Sequence, residues 1–172
     1  MLARVPAAAT TLLLLLVSTT SRGGIDVASR TDPAVDFSAY RSFAWTDGRP
    51  AENPEAERLI GSAVERELTS RGVRRVEDEA ELLVATYTLI DRHSLDELDD
   101  EDAWEFWTGV TEMRARSVGG GTVVVDLIDP RTRRVVWRGL AAGTVASDAR
   151  KTVRRLDKAL ARLLERLPWP VR

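Results

Sequence analysis

The residues best suited to chemistry sit together in the middle of the chain. Residues 91–105 hold eight acids against one base, a local charge of −7, and Trp104, Phe106 and Trp107 fall at or just beyond the end of that run. Asp99, Asp100 and Asp102 are spaced closely enough to gather a hard cation, which takes oxygen ligands. The pattern is not that of an EF-hand, because no glycine stands at the loop's sixth position and consecutive acids cannot all point inward. Nor does it suit glycoside chemistry, which needs two carboxylates tuned apart; a crowded run is solvated and self-repelling. Recognition is the better-fitting chemistry, since aromatics rimmed by charge mark contact patches. Asp99, Asp100, Asp102, Trp104, Phe106 and Trp107 are therefore the candidate interaction flap. In the competing reading Trp104 and Trp107, three apart on a short helix with Val110, pack back onto an open sheet face.

The remaining inventory argues against catalysis. His93 is the chain's one histidine; it lies in the acidic run with no G-x-S-x-G nearby, and adjacent Ser94 is poorly placed as its nucleophile partner. One histidine and no cysteine leave little for a zinc site, and the missing thiols also exclude disulfide scaffolds and cysteine nucleophiles. The glycines at 119–121 lack the lysine of a phosphate-binding loop and precede a strand. Trp45 and Trp137 sit in expected strands, where packing is the simpler role. No catalytic, cofactor-binding or metal-binding residue is assigned, and a non-enzymatic protein without a cofactor is expected.

Charge position says more than the formal net charge of −2 among 172 residues. The last twenty-five residues, 148–172, hold eight bases and three acids, giving +5. An amphipathic helix carries charge on its wet face as a rule, so this basic stretch makes no case for nucleic acid as a partner.

The N-terminus reads as an address. Arg4 supplies positive charge, Val5 to Val17 is apolar apart from Pro6, Thr10 and Thr11, and small residues follow at 18–21. That is the plan of an export signal over residues 1–23, and its apolar part is shorter than the ~20 residues a spanning helix needs. A periplasmic protein is expected; in the alternative, the uncut segment holds the chain on the inner membrane and is its only membrane contact.

These features need a scaffold to position them. Residues 24–35 read as a polar, extended lead-in to a single domain over 36–170. Strand signals cover 41–45, 82–90, 122–128 and 135–141, the last two joined by a turn with Pro130 at its second position. That short connection forces antiparallel pairing. Asn53 and Pro54 signal a helix start, Leu59, Ile60, Ala63, Val64 and Leu68 share a face, and Gly72 stops the helix, which gives 55–71. Val153, Leu156, Leu160, Leu163, Leu164 and Leu167 make a second apolar stripe, stopped by Pro168. The expected fold is α+β, ordered β-α-β-β-β-α: a mostly antiparallel four-stranded sheet with two amphipathic helices packed on one face.

The segments at 36–45, 81–87, 121–129 and 136–139, read in order, resemble the bacterial envelope family known as domain of unknown function 4136. The resemblance spans about 31–168. It implies an exported protein without assigned catalysis, and it offers no active-site residues to carry over. Members usually bear a lipid-accepting cysteine after the apolar run, whereas this neighbourhood reads Leu16-Val-Ser-Thr-Thr-Ser21 and has no thiol to acylate. The expected role is that of a binding module whose partner is an unidentified envelope protein, met through a sheet edge or the flap. The alternative is a carrier holding a small ligand or lipid in an apolar cleft between sheet and helices.

Overall fold

The structure is a computed structural model and describes residues 26–89, 120–144 and 148–169. Its strands are β1 (Asp26–Thr31), β2 (Ser42–Trp45), β3 (Arg74–Arg75), β4 (Leu82–Leu89), β5 (Gly120–Asp129) and β6 (Arg134–Thr144). Its helices are α1 (Pro54–Ser70) and α2 (Ala149–Leu164), with a single 3₁₀ turn at Phe37–Ala39. Among the described residues the strands form one sheet in the order β1-β6-β5-β4-β2-β3.

The α+β class and the two helices stand as expected, but the sheet has six strands and is mixed. β1 forms inside the expected lead-in and pairs antiparallel with β6, from Asp26 opposite Ala142 to Thr31 opposite Trp137. β3 forms between the helix expected over 55–71 and the strand expected from 82, and pairs parallel with β2. β2 is also parallel to β4, with Phe43 opposite Leu82. The parallel pairs follow from α1: a helix between two strands returns the chain to the end where it began, whereas tight turns reverse it. β1 escapes sequence reading because it is an edge strand whose residues are mostly half-buried, so apolar and polar positions do not alternate clearly.

Local chemistry sets the helix ends. Asn53 Oδ1 accepts from the Glu55 and Ala56 N–H groups at 2.8 and 3.3 Å, with Pro54 opening α1. At the other end Gly72 takes φ 84°. The Val73 N–H then reaches the Leu68 carbonyl and the Gly72 N–H the Thr69 carbonyl, a Schellman ending in which Val73 and Leu68 are both fully buried. Arg71, half-way round that ending, donates to the carbonyls of Leu164, Leu167 and Trp169 at 3.3, 3.0 and 2.8 Å and so ties α1 to the end of α2. Asp148 caps α2 through the N–H groups of Arg150 and Lys151.

Both helices lie on the same sheet face and on each other. Ile60, Val64 and Leu68 of α1 and Leu160 and Leu163 of α2 close over Phe43, Leu82, Val84, Val125, Leu127 and Trp137 in one core. The fit is close at Gly139, where a Cβ would stand 2.3 Å from the Trp137 ring and 2.8 Å from Leu163. Gly139 is the gap that lets Trp137 lie flat beneath α2.

Candidate functional site

The six residues of the candidate flap, Asp99, Asp100, Asp102, Trp104, Phe106 and Trp107, lie outside the described residues, as do His93 and the export segment. β4 and β5, the strands on either side of the flap in sequence, are neighbours in the sheet, and Leu89 is paired with Thr122.

Strand alternation divides the buried residues into two sets. Val125 and Leu127 face the helices, so Val124 and Asp126 face the other way, joined in register by Ala85 of β4 and by Arg138 and Leu140 of β6. This face, which carries no helix among the described residues, is shielded too: Val124 and Ala85 are fully buried and Leu140 is 1% exposed. A charge pair sits in it. Arg138 grips Asp126 with two parallel bonds, Nε to Oδ1 and Nη2 to Oδ2, each 2.6 Å, and Arg30 of β1 is Arg138's cross-strand partner. A bidentate guanidinium–carboxylate pair between hydrogen-bonded strands fixes register, because slipping by one residue would bury both charges unpaired. Burial, and the Asp126 charge after it, hold the nearby Tyr87 hydroxyl above the usual phenol range, so it stays protonated.

A second cluster closes the β5–β6 turn. Asp129 Oδ1 accepts from the Arg131 N–H at 2.8 Å, and its Oδ2 accepts from Arg131 Nη2 at 3.1 Å and the Tyr40 hydroxyl at 3.2 Å. Hydrogen bonding from Arg131 holds the Asp129 carboxyl below its usual range, while burial and then the Asp129 charge push Tyr40 up. Neither group titrates near neutrality, which a general acid or base would need. The cluster is a clasp: Tyr40 touches Phe37 edge-on, and Phe37 in turn meets Trp169 at 5.1 Å, so turn, 3₁₀ segment and C-terminal residues are joined.

Two exposed features remain. Among the described residues no strand pairs with the outer edge of β1. The outer side of α2 carries its charge: the helix holds six bases and one acid. Neither β1 nor the Asp126–Arg138 pair was expected from sequence. The pair depends on register: a regular ladder from Asp129 opposite Arg134 would put Trp137 opposite Asp126, and the irregularity between Leu127 and Ile128 brings Arg138 there instead.

Comparison with solved structures places the chain beside proteins of low identity. Two crystal forms of a PelC dodecamer from Paraburkholderia phytofirmans are 18% and 16% identical and align at a TM-score of 0.45, over 83% and 81% of this chain and 99% and 98% of theirs. A PDZ domain protein from Parabacteroides distasonis is 17% identical with a TM-score of 0.57; the match covers 86% of this chain and 37% of that one, so the similarity is of fold. No curated protein matches the sequence. A family profile does match, over residues 27–169, which takes in β1 through the residues after α2, and on it the chain belongs to the family described as domain of unknown function (DUF4136).

Proposed function

We propose that this chain is an exported, non-enzymatic envelope protein that works by binding another envelope component, and that an extended segment of that partner adds to the outer edge of β1. The edge carries the reading. Asp32 donates its N–H to the Val136 carbonyl of β6 at 2.9 Å. By alternation the N–H groups of Thr31, Ser29 and Val27 point away from β6. An edge of this kind is a template for strand addition, in which backbone bonds give affinity and alternate side chains give specificity. The export signal over 1–23 supplies the address.

A ligand carrier fits less well, because the layer between sheet and helices is filled by side chains: Phe43, Ile60, Leu68, Leu127, Leu160 and Leu163 are all fully buried there. Native mass spectrometry of the purified chain tests that alternative, and a recurrent bound small molecule would favour it. The edge is tested by crosslinking in cells with mass-spectrometric identification of partners. Ser29→Pro removes an outward N–H without removing a bond to β6, so it should lose the partner and keep the circular dichroism of the parent. Full recovery by Ser29→Pro, with loss on deleting residues 96–108, would move the contact to the flap and sink the edge.

A further inference from the structure

The outer face of α2 is more positive than the helix itself requires. Lys151, Arg155, Lys158 and Arg162 follow at i, i+4, i+7 and i+11, one stripe on a helix of 3.6 residues per turn, and all four are exposed. The stripe is roughly 16 Å long at 1.5 Å per residue. It lies opposite Leu156, Leu160, Leu163 and Leu167, which pack in or against the core. Like charges at i, i+4 repel, as Lys158 with Arg162 do. The first turn holds no acid and begins with Arg150 and Lys151 at the positive end of the helix dipole. Helix stability therefore does not explain the pattern, and an anionic surface outside the fold would.

Position suggests which surface. β6 ends at Thr144 and α2 starts at Ala149, while Asp26, the first residue of β1, pairs with Ala142. Residues 1–25 thus join the domain at the end of the sheet from which α2 departs, and β1 and α2 are in contact. The apolar run Val5 to Val17 lies in that preceding stretch. Where that segment stays uncut, as in the alternative to a periplasmic protein, a short apolar tether and a basic patch on the same side of a domain are the two partial signals that together hold a protein on a bilayer. Nucleic acid would call for stacking aromatics beside the bases, and the described tryptophans near α2, Trp137 and Trp169, are buried.

We propose that the Lys151–Arg155–Lys158–Arg162 stripe docks on the anionic phospholipid headgroups of the membrane to which the N-terminal segment delivers the chain. The identity of that membrane rests on the export reading; the stripe's preference for anionic lipid does not. The test is flotation of the full chain with vesicles of phosphatidylglycerol in phosphatidylcholine and with phosphatidylcholine alone. At ~0.1 M salt the anionic vesicles should bind about tenfold more protein or better, and the excess should vanish toward ~1 M salt. K151E/K158E/R162E should fall to the neutral-vesicle level, which reports the N-terminal segment. R74E/R75E, reversing two exposed bases on β3 at the far edge of the sheet, should keep the preference. If the glutamate triple variant loses its circular dichroism, K151Q/K158Q/R162Q replaces it.

Equal flotation of the parent on both vesicles overturns the proposal, as does an excess retained by the stripe variant or lost equally by R74E/R75E. Displacement from anionic vesicles by single-stranded DNA at matched phosphate would assign the stripe to nucleic acid and also overturn it. A reporter fused at Arg172 and active only outside the cytoplasm tests export separately. If that reporter stays dark while anionic flotation persists, the export reading fails and the stripe's lipid preference stands.

Discussion

α1 and α2 each open on a side chain that accepts from two backbone N–H groups, Asn53 in one and Asp148 in the other. Beyond the caps they diverge. α1 places Glu55 and Glu57 in its first turn, where the helix dipole welcomes them, and its charges are mixed, four acids and two bases. α2 has Arg150 and Lys151 in its first turn and holds six bases with one acid. Their buried sides do not diverge: Ile60, Val64 and Leu68 match Leu160, Leu163 and Leu164 in depth. Burial is a demand of the shared core, met by both helices alike. The wet faces are not fixed by the core: on α1, Glu65 and Glu67 pair with Arg75 and Arg71, whereas α2 has one acid among its six bases.

The largest expected effect probes the similarity. Leu68→Ala and Leu160→Ala each remove a fully buried side chain from the same core and should each cost about 2–5 kcal/mol, read by urea unfolding. Equal costs keep the two helices equivalent on their inner sides. A Leu160→Ala cost near zero would mean that α2 is only loosely docked, and the contrast would then be one of packing instead of surface charge.

The caps come next. Asn53→Ala and Asp148→Ala should each cost about 1 kcal/mol, within a range of about 0.5–2. Asp148 should be the more sensitive to salt, because its carboxylate is the one negative charge facing a first turn that contains Arg150 and Lys151, whereas Asn53 is neutral and stands before two glutamates. Identical salt dependence of the two losses would break that part of the comparison.

What sequence could reveal follows the same division between local and distant causes. α1 was legible to within a residue because cap, proline, apolar spacing and stop glycine all lie inside it. The β5–β6 hairpin was legible because Pro130 and the flanking valines are neighbours in sequence, although both strands extend further than their β-branched stretches, to Gly120 and Thr144. β1 was missed because its pairing is with residues more than a hundred positions away, and Val27 is its only side chain packed on the core. β3 was missed because its two exposed arginines carry no strand signal; it is tied to β2 where the Arg74 and Val76 N–H groups donate to the Arg41 and Phe43 carbonyls. The Asp126–Arg138 clamp needed the hairpin register before it could be seen. The basic stretch at the C-terminus is visible in the sequence as charge on the wet face of an amphipathic helix. Its alignment with the start of β1 is a property of the folded sheet.

The smallest effect is the most discriminating, because it separates stability from use. Arg150→Glu together with Lys151→Glu gives α2 the acidic first turn that α1 already has. The helix dipole and new opposite-charge spacing to Arg154 favour the change and outweigh the repulsion it sets up with the capping Asp148 carboxylate, so the melting temperature should rise by about 1–3 °C. If the wet face of α2 had no task, nothing would oppose that gain, and the variant would be the better protein. If the face meets an anionic bilayer, the same variant should float less on phosphatidylglycerol vesicles than its parent while melting higher. A residue pattern that lowers stability in order to serve a contact is expected at working surfaces. A higher melting point with undiminished flotation would mean that the first turn's charge serves neither the helix nor the membrane, and would confine any lipid contact to the later turns of α2.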